Sequence, residues 1–140
     1  MNEKEIQETV LRARQIEEQL NALTQEMNLL NNSLTETLLT KRALEEIKKV
    51  AAGKETLIPI GSGVLIKAKS EKNDKVIMGA GEGVYLEKPV EEVIKDLEKR
   101  ETTIKHNIQE FSKAVDALRK EYTQLVLKIE EYRKKLNKVS

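Results

Sequence analysis

Gly79-Ala80-Gly81-Glu82-Gly83 has the strongest claim to chemistry in this 140-residue chain, because closely spaced glycines can bring backbone N–H groups up to a phosphate. It fits neither the GxGxxG that runs into a helix nor GxxxxGK followed by Ser or Thr, and Val84-Tyr85-Leu86 after it reads as another strand. A hairpin turn is the better reading. His106 is the only histidine and falls between seam positions Ile104 and Ile108, so it makes neither a metal site nor a triad. With no cysteine there is no thiolate ligand and no disulfide, which fits a reducing compartment. Carboxylates are plentiful, but their spacing sets them on solvated helix faces where nothing shifts them toward acid–base work. Glu101 is the single charged residue on the second helical seam; it sets register against a polar partner or, more simply, pairs with Lys105 at the edge. Tyr122 and Tyr132 are seam residues first and base-stacking platforms only remotely. No catalytic constellation emerges, and the expectation is a protein with no enzymatic activity, no metal and no cofactor.

The elements that carry these residues follow from composition and period. Aromatics are 3% and charged residues 35% of the chain, a mixture that suits long helices better than a thick globular core. Net charge is +1, with 7 basic and 9 acidic residues in 1–53 and 12 and 10 in 89–140. That balance lacks the basic stripe that nucleic-acid binding needs. No apolar run reaches the length of a membrane span, and Met1-Asn2-Glu3-Lys4-Glu5 lacks the apolar core of a signal peptide. A cytoplasmic protein is expected, with neither nucleic acid nor membrane as a partner.

The centre of the chain is a duplication. Ile60-Gly61-Ser62-Gly63-Val64 recurs twenty residues later as Ala80-Gly81-Glu82-Gly83-Val84, each copy between apolar, β-branched runs. This spacing predicts two β-hairpins joined by a polar turn over Ser70–Asp74. On either side the pattern is helical. The first arm repeats by threes and fours through Ile6, Thr9, Ala13, Ile16, Leu20, Leu23, Met27, Leu30 and Leu34, then weakens at Thr37, Lys41 and Lys48. There Leu38, Leu39 and Ile47 shift the apolar face sideways, toward a second surface. Gly53 is placed as the C-terminal cap of this helix. Pro89 opens the second arm, whose seam runs through Val90, Ile94, Leu97, Glu101, Ile104, Ile108, Phe111, Val115, Leu118, Tyr122, Leu125, Ile129, Tyr132, Leu136 and Val139. Its outward faces carry i,i+4 pairs such as Glu91/Lys95 and Asp96/Arg100.

The fold class is therefore α+β, mainly α: one domain over residues 1–140, with a helical arm 1–53, a double β-hairpin insert 54–88 and a helical arm 89–140. Each arm would reach roughly 75 Å if fully helical, and the simplest pairing is an antiparallel coiled coil with both chain ends at one tip. Two isolated hairpins are marginal in water. Leu57, Ile60, Val64, Ile66, Val76, Met78, Val84 and Leu86 need shelter, and hairpins from several subunits closing into one β-barrel would supply it. An obligate oligomer follows.

Long helix, then Glu55-Thr56-Leu57-Ile58-Pro59-Ile60-Gly61-Ser62-Gly63-Val64, then Lys75-Val76-Ile77-Met78-Gly79-Ala80-Gly81-Glu82-Gly83-Val84, then long helix resembles the alpha-type subunits of the archaeal prefoldin family. The resemblance covers essentially the whole chain, and two hairpins rather than one favour the alpha type. It implies a hexamer of two alpha-type and four beta-type subunits, with a β-barrel platform and hanging coiled coils. It also implies an ATP-independent chaperone that holds non-native polypeptides and passes them to a group II chaperonin.

Apolar residues beside the seams suggest where such polypeptides would bind. Val10 and Leu11 flank the first seam near the tip, and Val126 and Leu127 flank the second. Coiled coils ordinarily place charged residues there, so a cluster at the free ends suits binding of exposed hydrophobic segments. Seam members Ile6, Leu136 and Val139 would join them when the terminal turns fray. Scattered surface leucines are the plain alternative. Two other functions compete: a structural spacer or tether within a larger complex, and, more weakly, an RNA- or enzyme-associated helical arm.

Overall fold

Duplicated sequence has folded into duplicated structure. The computed structural model describes residues 1–50, 52–71 and 74–139, except for the side chain of Val139. Helix α1 spans Glu3–Lys48, strands β1 and β2 span Glu55–Gly61 and Val64–Lys69, strands β3 and β4 span Lys75–Gly81 and Val84–Pro89, and helix α2 spans Val90–Val139. β1 pairs antiparallel with β2, and β3 with β4, as two separate two-stranded sheets. Both turns are alike. Ser62-Gly63 and Glu82-Gly83 take positive φ throughout (51° and 77°, 52° and 76°), the twist that lets a two-residue loop follow right-handed strands. In each copy the register slips just before the turn, at Pro59/Gly61 and Gly79/Gly81, where the leading glycine also has positive φ.

The helix ends differ in detail from the sequence-based expectation. Asn2 begins α1 as a cap, its Oδ1 accepting the Glu5 N–H at 2.8 Å. At the other end Lys49 and Val50 bond back three residues to Glu46 and Ile47, which tightens and ends the helix. Gly53 is thus not the helix cap. With φ +83° it donates its N–H to the Ser70 carbonyl at 2.6 Å and closes the base of the first hairpin. Pro89 ends β4 rather than opening α2, whose first residue, Val90, donates its N–H to Asp74 O at 3.0 Å. Ala51 and, in the expected polar turn, Lys72 and Asn73 lie outside the described residues.

The chain divides into two compact units. Met1–Ser33 with Ile104–Ser140 form the first, an antiparallel pair of helical segments in which Met1 lies by Tyr132 and Lys135. Ile6, Ala13, Ile16, Ile104 and Val115 are its buried residues, with Ile16 fully enclosed. Leu20, Leu23, Met27, Leu118, Leu125 and Ile129 are half-buried along the same seam. Leu34–Thr103 form the second unit, centred on Leu44, Val90, Val93, Ile94 and Leu97. Val76 and Met78 pack onto that cluster, which fixes the second hairpin to its own helices. Thr37 (4% exposed) and Lys41 keep to the seam in this unit, whereas Leu38, Leu39 and Ile47 stay 39–59% exposed, so the seam does not shift sideways within the chain.

Candidate functional site

In the first unit, the chain-terminal ends of both helices bring several residues singled out by sequence to one region. Ile6 is nearly covered at 9% exposure, and Val10 and Val126 are half-buried beside the seam. Leu11, Leu127 and Leu136 stand 54–58% exposed, well above their seam neighbours. Ile6, Val10 and Leu11 line a shallow cavity of about 330 Å³ with Gln7 and Arg14 on its rim. The side chain of Val139 lies outside the described residues. An exposed leucine on each helix, above a seam of partly covered side chains, offers apolar contact without an enclosed pocket.

Polar bonds cross between the helices next to this region, and sequence reasoning missed them. Arg12 grips Glu121 through two parallel bonds, Nε to Oε1 at 2.8 Å and Nη2 to Oε2 at 3.1 Å. The pairing raises the guanidinium pKa and holds the Glu121 carboxyl below its ordinary value. Tyr122 donates its hydroxyl proton to Glu17 Oε1 at 2.5 Å, and that bond raises the phenol pKa. The available signal was the position of Arg12 and Glu17 beside seam residues Ala13 and Ile16, where coiled coils place charges that choose partners. A groove of about 580 Å³ lies on the Arg12 side, floored by Leu125 and Tyr132 and walled by Glu5 and Glu8 on one helix and Lys128 and Lys135 on the other.

The hairpins present a different kind of surface. Leu57, Ile60, Val64, Ile66, Val84 and Leu86 are 48–59% exposed, whereas Val76 and Met78 are partly covered by the chain's own helices. On the opposite face of the second hairpin Ile77 and Tyr85 are 75% and 70% exposed, and the Tyr85 ring lies against Gly79, 3.5 Å from where a Cβ would stand. Both belong to the apolar runs of the hairpins, which by sequence need shelter. At the hairpin base Lys88 Nζ meets Asp96 at 2.7 Å and Glu92 at 3.5 Å, which raises the lysine pKa and lowers that of Asp96. Glu91 pairs with Lys48 across the helices. These contacts engage Glu91 and Asp96 on other elements than the i,i+4 spacing suggested. Gly79–Gly83 is strand and turn, and His106 is exposed. Among the described residues no cluster of three or more His, Cys, Asp or Glu is placed to hold a metal ion, and no helix is long and apolar enough to cross a membrane.

Comparison with known proteins points one way. The family model for the prefoldin subunit matches residues 16–136. The chain is 32% identical over 123 residues to prefoldin subunit alpha 1 of Methanocaldococcus jannaschii, covering 80% of this chain and 86% of that one. It is 29% identical over 140 residues to the prefoldin subunit alpha of Pyrococcus horikoshii, covering 99% and 95%. A putative prefoldin subunit alpha of Aquifex aeolicus is 31% identical over 115 residues, covering 82% and 75%. Two solved structures share the fold. A chain of filamentous PFD from M. jannaschii, solved by cryo-EM, matches with a TM-score of 0.70 at 24% identity, over 84% of this chain and 97% of that one. The crystal structure of the prefoldin beta subunit from Thermococcus strain KS-1 matches with a TM-score of 0.59 at 14% identity, over 91% of each.

Proposed function

Since the chain belongs to the prefoldin family, a family of non-enzymatic chaperone subunits that assemble with one another, we propose that it holds non-native polypeptides at the chain-terminal ends of its paired helices, without ATP. The observation that carries this reading is the exposure of Leu11, Leu127 and Leu136 beside the half-buried Val10 and Val126. Ile6 and Val139 join them when the last turns open. Several such ends around one cavity would grip a client at many weak points, and avidity would replace a tight pocket.

The hairpins are the proposed means of assembly. Leu57, Ile60, Val64, Ile66, Val84 and Leu86 are apolar and exposed in the single chain, and strands of partner subunits would cover them in a closed barrel. Val76 and Met78 would connect that barrel to the helices. The proposed assembly has two chains of this alpha type and four of the beta type. It would work in the cytoplasm and hand its client to a group II chaperonin.

The test is a variant with Val10, Leu11 and Leu127 changed to Ser, beside a deletion of residues 1–8. Both should keep the oligomer and most helicity, yet lose suppression of aggregation of a denatured test protein. Added ATP should leave capture by the unaltered protein unchanged. Undiminished capture in both variants would place the client elsewhere, and would leave a spacer or tether role for the helices.

A further inference from the structure

The Arg12–Glu121 pair and the Tyr122–Glu17 bond, which cross the first unit, have no part in the function proposed above, yet they stand at a particular place. Arg12 and Glu17 are five residues apart, which at 100° per residue sets them about 140° apart around α1. They therefore flank the seam on opposite sides, Arg12 bonded to Glu121 and Glu17 to Tyr122. Between them in sequence lie Ala13, 7% exposed, and Ile16, fully buried. The tightest part of this seam is bracketed by a directional bond on either side.

Toward the chain ends the cover is uneven, with Ile6 still 9% exposed on α1 but α2 less enclosed. Leu125, Ile129 and Tyr132 are half-buried, and Leu136 is 54% exposed. Terminal turns held by partly covered side chains part easily, because little apolar surface is uncovered at each step. A bidentate guanidinium–carboxylate pair behaves differently, since both bonds and their fixed geometry are lost together.

We propose that Arg12–Glu121 and Glu17–Tyr122 form a stop that limits how far the helix ends part, and so sets the length of apolar seam offered to a non-native chain. The proposal rests on the client-binding reading above. These four are positioning residues: they act through Ile6, Leu125 and Ile129, which the stop leaves free to open, and through Ile16, which it keeps closed. The nine residues of α1 before Arg12, from Glu3 to Leu11, span about 14 Å of helix. That length matches an extended client segment of about four residues. The ligand class is thus a short apolar segment rather than a long amphipathic helix.

Hydrogen exchange of the assembled complex, read by mass spectrometry, tests this with Arg12→Ala, Glu121→Gln, Tyr122→Phe and the charge-exchanged pair Arg12→Glu with Glu121→Arg. In the single variants amides within 3–16 and 118–136 should exchange roughly two- to fivefold faster, while those of 90–103 keep their rates. The exchanged pair should restore slow exchange, and release of a bound denatured protein should slow in the single variants because more seam is engaged. A merely structural contact would give the reverse for the client, with weaker capture and faster exchange along both helices. Unchanged exchange in the single variants, or no rescue by the exchanged pair, overturns the stop. Faster local exchange with client capture and release both unchanged upholds the stop and overturns the client-binding reading beneath it.

Discussion

A lysine at Ile66 should break the assembly while leaving the chain folded. Ile66 pairs with Ile58 in the first hairpin and is 48% exposed in the single chain, so a charged side chain there can reach water until a partner covers it. If a barrel buries the exposed half of Leu57, Ile60, Val64, Ile66, Val84 and Leu86, each contributes about 1 kcal/mol, or roughly 6 kcal/mol per subunit. One unpaired ammonium enclosed in that barrel costs several kcal/mol, an amount comparable to the whole apolar contribution. Ile66→Lys should therefore yield free or aggregated subunits by analytical ultracentrifugation and native mass spectrometry, with helical circular dichroism preserved. Val76→Lys supplies the contrast. Val76 already packs on Leu44, Val90, Val93, Ile94 and Leu97, so lysine there should lower the melting temperature of the subunit itself. An intact oligomer from Ile66→Lys, at the stability of the unaltered protein, would refute burial of this hairpin face between subunits.

Other consequences are equally measurable. Ile16→Ala removes the fully buried side chain of the first unit and should cost about 2–5 kcal/mol in urea unfolding. Ser62→Asn should stabilise by up to about 1 kcal/mol, because Ser62 holds φ 51° and asparagine enters that region more readily; no gain in melting temperature would mean the turn is relaxed as it stands. Acid should weaken the same part of the molecule as Arg12→Ala. Glu121 is held below its ordinary value of 4.5, so its contribution is complete above that value and disappears as pH falls through the depressed one. The stability difference between the unaltered protein and Arg12→Ala should thus shrink on acidification from neutral pH, and a constant difference would contradict the pairing. Tyr122 titrates in the opposite sense: its phenol is raised above 10.0 by the bond to Glu17, so that bond should hold below pH 10 and fail in stronger alkali, an effect absent from Tyr122→Phe.

What the chain shows in its letters, and what it hides, divides along a physical line. Periodicity and duplication are local properties, so two helical seams and two glycine hairpins could be read directly, and the seam positions from Ile6 to Leu34 are all covered or half-covered. The conformation of Ser62 and Glu82 was less accessible, because neither side chain announces a left-handed backbone; the two-residue turn demands it and their flanking glycines make it tolerable. Val93 was hidden for another reason. It lies off the two-helix seam, but Val76 and Met78 cover α2 from the hairpin side, so Val90, Val93, Ile94 and Leu97 form the broader stripe of a helix packed on two surfaces. Lys41 and Thr37 misled in the other direction. Polar letters at seam positions suggested that the helix turns to a new partner, yet Thr37 is buried and Lys41 reaches toward Glu98 at 3.9 Å, its stem half-buried in the seam and its charge at the edge. Cross-helix pairs such as Arg12–Glu121 and Lys48–Glu91 depend on how residues far apart in sequence come level. Spacing along one helix fixes which side chains could meet within it, but only the register of the second helix decides that Glu91 turns to Lys48. The apolar residues near the chain ends are legible for the same reason that the seam is, as departures from a repeat. Their exposure is not, because it depends on how closely α2 covers α1 there: Val10 and Val126 come to lie half under the pair, whereas Leu11 and Leu127 stand clear of it.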